Sequence, residues 1–230
     1  MKIDLLDKGF VEHLGTFGDE LTIVNAARVS FGAESKEFQD RDARLMRYLY
    51  KHKHFSPFRH VILRLRLKAP EFVMRQAYKH VVGIEVTAAS SCKDHAWNEI
   101  SGRYKPVNEY YYPSTWRRQH PSSKQASAGP VPEDAQELAQ EQMTRAMQAT
   151  TDAYQKLLEL GVAKEQARII LPMNQYTETI WTCSAQALIN FIELRAHPEA
   201  QEEIRVYAEA ICSILYHSLP TLMGMLEEIR

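Results

Sequence analysis

The sequence predicts a single-domain α+β protein in which a small, mainly antiparallel sheet packs against several helices. Most segments carry apolar residues at helical spacing, few show the alternation of a strand, and the two kinds do not follow the regular order of a parallel α/β fold. The 230 residues, 45% of them hydrophobic, can fill one core, because single domains commonly reach about 250 residues. We therefore expect one domain over residues 1–230.

The first part of the chain predicts one strand and two helices. Residues 3–6 are typical of a short opening strand, and Asp19 can cap a helix that ends near Arg28. Residues 40–52 carry an apolar stripe at helical spacing, with basic residues elsewhere, which indicates an amphipathic helix.

The clearest strand covers residues 61–68. Valine and leucine alternate there with Ile62, Arg64, Arg66 and Lys68, so one face is apolar and the other is mainly basic. An antiparallel strand with one solvated side explains this pattern. The alternative is that the basic face binds a phosphate or lies against a ligand of another subunit.

The middle of the chain is less regular. Pro70 suits the first turn of a helix that carries Gln76 and His80, because a missing N–H does no harm there. Residues 82–96 are apolar and β-branched at first, with Val82, Ile84 and Val86, and then small and polar, and they are left unassigned. Residues 114–134 collect Pro, Ser, Gln and Gly without periodicity, which is typical of a surface loop.

The second half of the chain is mostly helical. Gly161 stops the longest helical pattern, Pro172 ends a shorter one, and residues 177–183 favour a strand before Ser184, which can cap the next helix. The expected helices cover residues 133–160, 164–171, 184–195, 198–217 and 220 onward.

Composition argues against several classes of protein. A net charge of −1 and a pI near 6.8 provide no overall basic field for duplex nucleic acid, so no nucleic-acid partner is expected. The three cysteines lie far apart and form no CxxC pattern, which fits a reducing compartment better than a disulfide framework. No run reaches the roughly 18 apolar residues of a membrane span, and the first residues lack a signal-peptide core, so we expect a cytoplasmic protein without a membrane partner.

Common catalytic motifs are absent. His52 and His54 lack a third ligand nearby and there is no HExxH, so no metal is predicted. The chain contains no GxGxxG, GxxxxGK[ST] or GxSxG, so nothing indicates a Rossmann, P-loop or α/β-hydrolase site. Cys92 and Cys183 are the candidate nucleophiles, although a free cysteine is most often a small buried hydrophobic residue.

Polar side chains concentrate in two stretches. Gln76, Lys79 and His80 have the i, i+3, i+4 spacing that would place an amide, an ammonium and an imidazole on one helix face. In the second stretch, Gly102 lets backbone N–H groups approach an anion, and Arg103 can bond to it through two N–H groups. Both features suit a nucleotide phosphate. Taken alone, a helix cap followed by a surface turn explains the same residues.

These stretches resemble the signature of the flavin-dependent thymidylate synthases, an Arg-His-Arg triplet followed by Glu-x-Ser-x-Arg-Tyr. The triplet position reads Lys79-His80-Val81 here, and 19 residues separate Val81 from Ser101, more than the family usually has. Further blocks similar to the family's occur in the family's order, so the resemblance covers nearly the whole chain. These blocks are residues 27–31, 51–58, 68–70, 167–172 and 190–196.

The resemblance implies a homotetramer with active sites between subunits, which converts dUMP to dTMP with methylenetetrahydrofolate as carbon donor and NADPH-reduced FAD. It implies catalytic positions at Arg195, which favours the N3-deprotonated uracil ring, and at Ser101, which positions the nucleotide without attacking it. The positions that match dUMP contacts are Gln76, Lys79, Glu99, Ser101, Gly102, Arg103, Arg168 and Arg195. The positions that match FAD contacts are His54, Ser56, Lys79, His80, Val82, Glu99, Ser184, Gln186 and Asn190.

Three arginine positions of the family carry Lys79, Val81 and Gln186 in this chain. A charge-assisted hydrogen bond contributes about 1.5–3 kcal/mol, so the two lost charges are expected to weaken FAD binding by about tenfold or more unless other groups compensate. Two alternatives stay open. One is an enzyme of the same fold that acts on another pyrimidine nucleotide, and the other is a non-catalytic nucleotide-binding homologue with weak flavin affinity.

Overall fold

The computed structural model describes residues 1–80, 83–87, 90–93, 95–104 and 108–229, and for residues 83–87, 90–93 and 229 it describes the backbone alone. The strands are β1 (Lys2–Leu5), β2 (Gly9–Phe17), β3 (Ile62–Pro70), β4 (Gly83–Thr87), β5 (Ser90–Lys93), β6 (His95–Glu99), β7 (Arg117–Gln119), β8 (Ser127–Pro130) and β9 (Tyr176–Ser184). The helices are α1 (Glu20–Arg28), α2 (Asp40–Lys51), α3 (Glu71–Ala77), α4 (Glu133–Glu159), α5 (Lys164–Ala167), α6 (Ala185–Arg195), α7 (Glu202–Ser218) and α8 (Pro220–Ile229). Short 3₁₀ turns cover Val29–Phe31, Ser56–His60 and Arg168–Ile170.

One five-stranded sheet organises the molecule. Its strands lie in the order β1-β2-β3-β9-β6, and every neighbouring pair is antiparallel. Two separate two-stranded ladders are formed by β4 with β5 and by β7 with β8. The predicted α+β class with a mainly antiparallel sheet is therefore confirmed.

The central strand β3 has the two faces that its alternation predicts. Its three leucines are buried, whereas Arg66 on the opposite face is exposed. Arg66 Nη2 lies 2.5 Å from Glu178 of β9, and Arg66 Nη1 lies 3.5 Å from Glu12 of β2. Exposed ion pairs contribute about 1 kcal/mol or less. At Arg66, the basic face is thus a solvated and charge-paired side of the sheet.

The buried face of the sheet carries helices α6, α7 and α8. α7 packs against β1 and β2, α6 packs against β9 and α7, and α8 packs against α7. Trp181 of β9 is fully buried, and its ring meets Phe191 of α6 edge-on at a centroid distance of 5.7 Å. Burial of one large apolar side chain stabilises the fold by about 1.5–3 kcal/mol. This contact fixes α6 over the strand that precedes it.

The predicted capping residues lie where the helices begin and end. Asp19 accepts the Thr22 N–H and starts α1, and Ser184 accepts the Ala187 N–H and starts α6. Gly161 follows α4 with a φ of +78°, a conformation that glycine adopts without a steric penalty. These helix boundaries are confirmed to within one or two residues.

Two expected helices differ from the structure at one end, and the expected helix over 164–171 is divided into α5 and the 3₁₀ turn Arg168–Ile170. α3 stops at Ala77, and the His80 N–H bonds to the Ala77 carbonyl in a tight turn, so Gln76, Lys79 and His80 do not share a helix face. α7 begins at Glu202 instead of residue 198. Before α7, the carbonyl of His197 accepts the Ala200 N–H in a turn, so the helix begins four residues later than expected.

The irregular stretches contain strands that their composition does not predict. The unassigned residues 82–96 include the hairpin of β4 and β5 and the start of β6, which joins the main sheet beside β9. The expected surface loop 114–134 includes the hairpin of β7 and β8. The side chain of Gln136 anchors this hairpin by accepting the Trp116 N–H at 2.7 Å and donating to the Trp116 carbonyl at 2.8 Å.

The close approach of β2, β3 and α7 requires a residue without a side chain at Gly9. A Cβ there would lie 2.0 Å from Tyr207 Oη and 2.8 Å from the Lys68 carbonyl oxygen. We expect Gly9→Ala to lower the free energy of unfolding by about 1–3 kcal/mol, measured by urea denaturation. Gly129→Ala is the control, because the nearest atom to its Cβ would be 3.8 Å away. An equal loss in both variants would contradict this account.

Candidate active site

An open cleft of about 1020 Å³ lies between the end of α3, the end of β6 and the segment that follows α5. Six of the predicted site residues line it together, although they come from three separate parts of the chain. They are Lys79, Glu99, Ser101, Gly102, Arg103 and Arg168. The structure therefore brings together most of the residues expected to bind the nucleotide.

The edge strand β6 positions the signature residues of this cleft. β6 pairs with β9 up to Glu99, and the Ile100 N–H still bonds to the Glu178 carbonyl at 2.9 Å. The chain then turns, with the Tyr104 N–H bonded to the Ser101 carbonyl at 3.0 Å. The turn places Gly102 against Arg168, whose Cδ would lie 3.5 Å from a Cβ at that position.

Glu99 is held on both carboxylate oxygens. Trp97 Nε1 donates to Oε2 at 3.0 Å, and Thr177 Oγ1 donates to Oε1 at 2.7 Å. Trp97 also packs against Tyr78, and both aromatic residues line the cleft. The carboxylate is thus fixed before any ligand binds. Trp97 is not among the residues predicted from the sequence, although its position two residues before Glu99 on a strand places both side chains on one face.

The cleft carries more positive than negative side chains. Arg75, Lys79, Arg103 and Arg168 line it together with the carboxyl groups of Glu71, Glu99 and Glu165. Burial raises the pKa of Glu71, and the nearby charge of Glu99 raises it further. Arginine forks favour bidentate contacts with anions, so the arginine-rich part of the cleft suits a phosphate group.

A second cluster surrounds Arg195, at the end of α6. Arg195 Nε donates to His80 Nε2 at 3.0 Å, and Arg195 Nη1 donates to Gln76 Oε1 at 3.1 Å. Within the described part of the chain, Arg195 Nη2 has no acceptor in bonding distance. The structure therefore joins three of the predicted site residues around one guanidinium. Its Nη2 group remains available to donate hydrogen bonds to a ligand.

The electrostatics of this cluster favour a neutral imidazole. Burial lowers the pKa of His80 to about 4, and the charge of Arg195 lowers it further. Burial also lowers the pKa of Arg195, although an arginine stays charged at neutral pH. The His80 ring meets Phe191 edge-on at a centroid distance of 5.1 Å. A neutral His80 can accept the Arg195 N–H, whereas a protonated ring could not.

The two clusters flank the end of α3 but do not form one cavity. Lys79 lines the cleft, while the next residue, His80, contacts Arg195. Gln76, His80 and Arg195 are not among the described residues that line the cleft. One copy of the chain therefore presents the anion-binding residues and the Arg195 cluster on neighbouring surfaces.

The predicted flavin contacts divide into two groups. His54, Ser56 and Asn190 are exposed and Gln186 is partly exposed, and the 3₁₀ turn that starts at Ser56 packs against α6. Ser184 is fully buried, and its hydroxyl accepts the Ala187 N–H as the cap of α6. Val82 lies outside the described residues.

Only one of the two candidate nucleophiles has a described side chain, and it does not line the cleft. Cys183 is fully buried in the core, and the side chain of Cys92 lies outside the described residues. In the same described part of the chain, no three His, Cys, Asp or Glu side chains are grouped closely enough to hold a metal ion. None of the helices described there combines the length and the apolarity that a membrane span requires.

An arginine-lined cleft beside a desolvated guanidinium and a neutral imidazole defines a nucleotide-binding enzyme. The family model described as thymidylate synthase complementing protein matches residues 13–221, so the chain belongs to this family. The flavin-dependent thymidylate synthase of Thermus thermophilus is 41% identical over 229 residues, which cover 99% of this chain and 79% of the relative. The enzyme of the same name from Thermotoga neapolitana is 40% identical, over 96% of this chain and 91% of the relative. The predicted family is therefore confirmed.

Solved structures support the same relationship. The UMP/dUMP methylase PolB from Streptomyces cacaoi, bound with 5-Br dUMP, has a TM-score of 0.81 and 29% sequence identity, with 98% of this chain and 97% of that chain covered. The same protein bound with 5-Br UMP has a TM-score of 0.79 and 27% identity, with coverage of 96% and 94%. The fold described above is therefore shared with PolB over nearly the whole length of both chains.

The neutral state of His80 predicts a pH dependence of stability. Its pKa is about 4 in the folded protein against 6.5 unperturbed, so between these values the unfolded chain binds more protons. The free energy of unfolding should fall as pH drops through this window. His80→Gln keeps an acceptor for Arg195 and should lose less stability over the same range, measured by urea denaturation at several pH values. His217→Gln, on the exposed side of α7, controls for the loss of one imidazole. Equal pH dependence in His80→Gln and the wild type would contradict the assignment.

Proposed function

We propose that this protein methylates dUMP to dTMP, with methylenetetrahydrofolate as the carbon donor and with NADPH and FAD as the reductants. The observation that carries the proposal is the half-buried Arg195 guanidinium, held by Gln76 and by a neutral His80. Among the described side chains, no cysteine lines the cleft. Activation of the pyrimidine by a charge, without an enzyme thiol, is consistent with this arrangement.

Arg195 activates the uracil ring electrostatically. C5 must become electron-rich before it can attack the one-carbon group, and loss of the N3 proton places negative charge on the ring. A guanidinium near N3 and the carbonyl oxygens stabilises this charge. Because Arg195 is partly desolvated, the interaction is stronger than it would be in water. The Nη2 edge, which has no acceptor among the described residues, contacts the ring.

The phosphate of dUMP binds at the turn that follows β6. Arg103 and Arg168 supply the charge, and the backbone N–H groups near Gly102 approach the phosphate oxygens. The Ser101 hydroxyl accepts from the Arg103 backbone N–H and Nε, both at 3.3 Å, so it orients the arginine and the nucleotide. Lys79 and the fixed carboxylate of Glu99 complete the nucleotide contacts.

Exposed or partly exposed polar residues on α6, and on the segment around the 3₁₀ turn that packs against α6, fit FAD as hydrogen-bonding groups. His54, Ser56, Gln186 and Asn190 would bond to the polar parts of the cofactor, and Lys79 would face its phosphates. His80 contacts Arg195 and Glu99 lines the cleft, so both would contact the flavin where it approaches the nucleotide. When bound and reduced by NADPH, FAD would supply the electron pair that reduces the transferred carbon to a methyl group. A surface with this few charges predicts weaker FAD binding than one with three arginines.

A homotetramer with active sites between subunits completes the proposal. The residues that bind the phosphate and the residues around Arg195 occupy neighbouring surfaces in one chain, so a nucleotide that touches both groups fits best between two copies. Exposed apolar side chains support such contacts, with Phe31 87% and Ile169 77% exposed. Cytoplasmic localisation, expected from the composition, stays a prediction.

UMP is the second candidate substrate. PolB, whose structure covers 98% of this chain, is a UMP/dUMP methylase, and its structures contain analogues of both nucleotides. The reaction at C5 is the same for both, and the difference is one ribose hydroxyl. A methylase of either nucleotide would use Arg195 in the same way.

One assay separates these functions. Purified protein receives added FAD, NADPH and methylenetetrahydrofolate with either dUMP or UMP, and the methylated nucleotides are separated by chromatography. Formation of dTMP that requires both NADPH and the folate supports the proposal, and methylation of UMP alone favours the second candidate. A colourless protein that takes up no FAD, absorbs nothing at about 450 nm and forms neither product would instead be the non-catalytic homologue.

Arg195→Ala should abolish most turnover while dUMP still binds weakly, because the guanidinium acts mainly on the charge that develops in the ring. A loss of about 10²–10³ in kcat is expected from the removal of one such electrostatic group. Steady-state kinetics and calorimetric dUMP binding measure the two effects. Arg205→Ala, whose guanidinium contacts Pro198 and Glu209 on α7, is the matched control. A variant at position 195 with most of its turnover would refute the role.

Ser101→Ala should slow the reaction without stopping it. The hydroxyl positions Arg103 and has no base within hydrogen-bonding distance among the described residues, so it is a poor nucleophile. We expect kcat/KM for dUMP to fall by about tenfold, the effect of one hydrogen bond to a charged group. Complete loss of activity, together with a covalent nucleotide adduct on Ser101 of the wild type detected by mass spectrometry, would reverse this assignment.

A further inference from the structure

Gln76 is connected to a buried carboxylate outside the site. Its Nε2 donates to Gln201 Oε1 at 2.8 Å, and Gln201 Nε2 donates to Glu203 Oε2 at 3.0 Å. With the Arg195 bond to Gln76, these contacts form one chain of four side chains that runs from Arg195 to Glu203. We call this chain the amide relay. None of the motifs in the sequence indicates Gln201 or Glu203.

The polarity of the amide relay is fixed at its two ends. A guanidinium only donates hydrogen bonds, and an ionised carboxylate only accepts them. Gln201 must therefore turn its NH₂ group toward Glu203 and its oxygen toward Gln76. Gln76 must in turn direct its NH₂ group at Gln201 and its oxygen at Arg195. Only this orientation of both amides satisfies every bond.

The ionised state of Glu203 is maintained by the hairpin of β7 and β8. Glu203 is only 4% exposed, and Arg117 Nη2 of β7 donates to its Oε1 at 2.7 Å. Burial alone would raise the pKa of Glu203, but the hydrogen bond and charge of Arg117, a backbone hydrogen bond and the bond from Gln201 together outweigh it, so the pKa lies below its usual value. The other groups near Glu203 are the Tyr111 hydroxyl, which also donates to it, and Glu202, which pairs with Arg117.

The Gln201 side chain is available to bridge Gln76 and Glu203 because it does not cap α7. Gln201 is the residue that caps the start of α7, but its side chain makes no capping hydrogen bond. It bridges Gln76 and Glu203 instead. Gln76 Nε2 has one further acceptor, the Phe72 carbonyl at 3.3 Å, which is a longer contact than the one to Gln201.

Because Arg195 is the proposed catalytic group, this inference rests on the proposed function. We infer that Gln201 and Glu203 are positioning residues, which set the orientation of the Gln76 amide and thereby hold the Arg195 guanidinium in place for the pyrimidine. Without the amide relay, the Gln76 amide can rotate and turn its NH₂ group toward Arg195. Two donors would then face each other, and Arg195 would lose its position.

A double-mutant cycle tests whether Gln201 acts through Gln76. We expect Gln201→Leu to lower kcat/KM for dUMP by about tenfold in the wild type and to cause no further loss in a Gln76→Leu background. Gln148→Leu is the matched control, since Gln148 also bonds to an acidic residue but lies on the surface of α4. Equal losses in both backgrounds, or no loss in the wild type, would overturn the inference. A wild type that methylates neither dUMP nor UMP would instead refute the proposed function, and calorimetric dUMP affinity would then be compared in the same cycle.

Gln201→Glu provides a readout that a structural role would not change. When both carboxyls are ionised, their repulsion displaces the introduced side chain from Glu203 and thereby from Gln76, and the carboxyl returns to accept from Gln76 only when the two carboxyls share a proton. We expect its kcat/KM, relative to the wild type, to rise severalfold as pH falls from about 8 to about 6. A ratio that does not change with pH, in a variant that unfolds at the same temperature as the wild type, would contradict the relay.

Discussion

The pairing of β3 with β9 positions every part of the candidate site. The two strands run antiparallel from Ile62 opposite Ser184 to Pro70 opposite Tyr176, and α3 and α6 follow them directly at opposite ends of this ladder. At about 1.5 Å per residue, α3 and α6 are about 11 Å and 17 Å long, and at about 3.4 Å per residue the ladder is about 31 Å long. The two helices fold back over the sheet from opposite ends, so their last residues meet near the middle. Arg195 and His80 come into contact there.

The same ladder explains the second half of the site. β6 pairs with the other edge of β9, so the turn that carries Ser101 and Arg103 begins where the pairing ends. The residues that separate the two halves of the signature are used to form a hairpin and this edge strand. An insertion can therefore lengthen the sequence between signature residues without separating them in space. It also adds Trp97, which bonds to Glu99.

The Arg195 guanidinium is oriented by uncharged hydrogen-bond acceptors and, among the described residues, not by a carboxylate in direct contact. Arg195 is oriented by an imidazole and an amide, and the nearest carboxylate of the amide relay, Glu203, acts on it only through Gln201 and Gln76. A direct carboxylate partner would neutralise the guanidinium. Neutral acceptors fix its direction and leave its charge available to a bound ligand.

The sequence by itself determined the periodic and local features. The alternation of β3, the long pattern of α4 and the caps at Asp19 and Ser184 depend on neighbouring residues alone, and the clustering of signature residues in the cleft followed from the family resemblance. Only the tertiary structure decided where α3 stops, where α7 begins and that Gln201 reaches Gln76, 125 positions earlier in the chain. The physical reason is that a hydrogen bond between residues far apart in the sequence depends on how the helices pack on the sheet. Hydrophobic periodicity and capping residues are local patterns and contain no information about that packing.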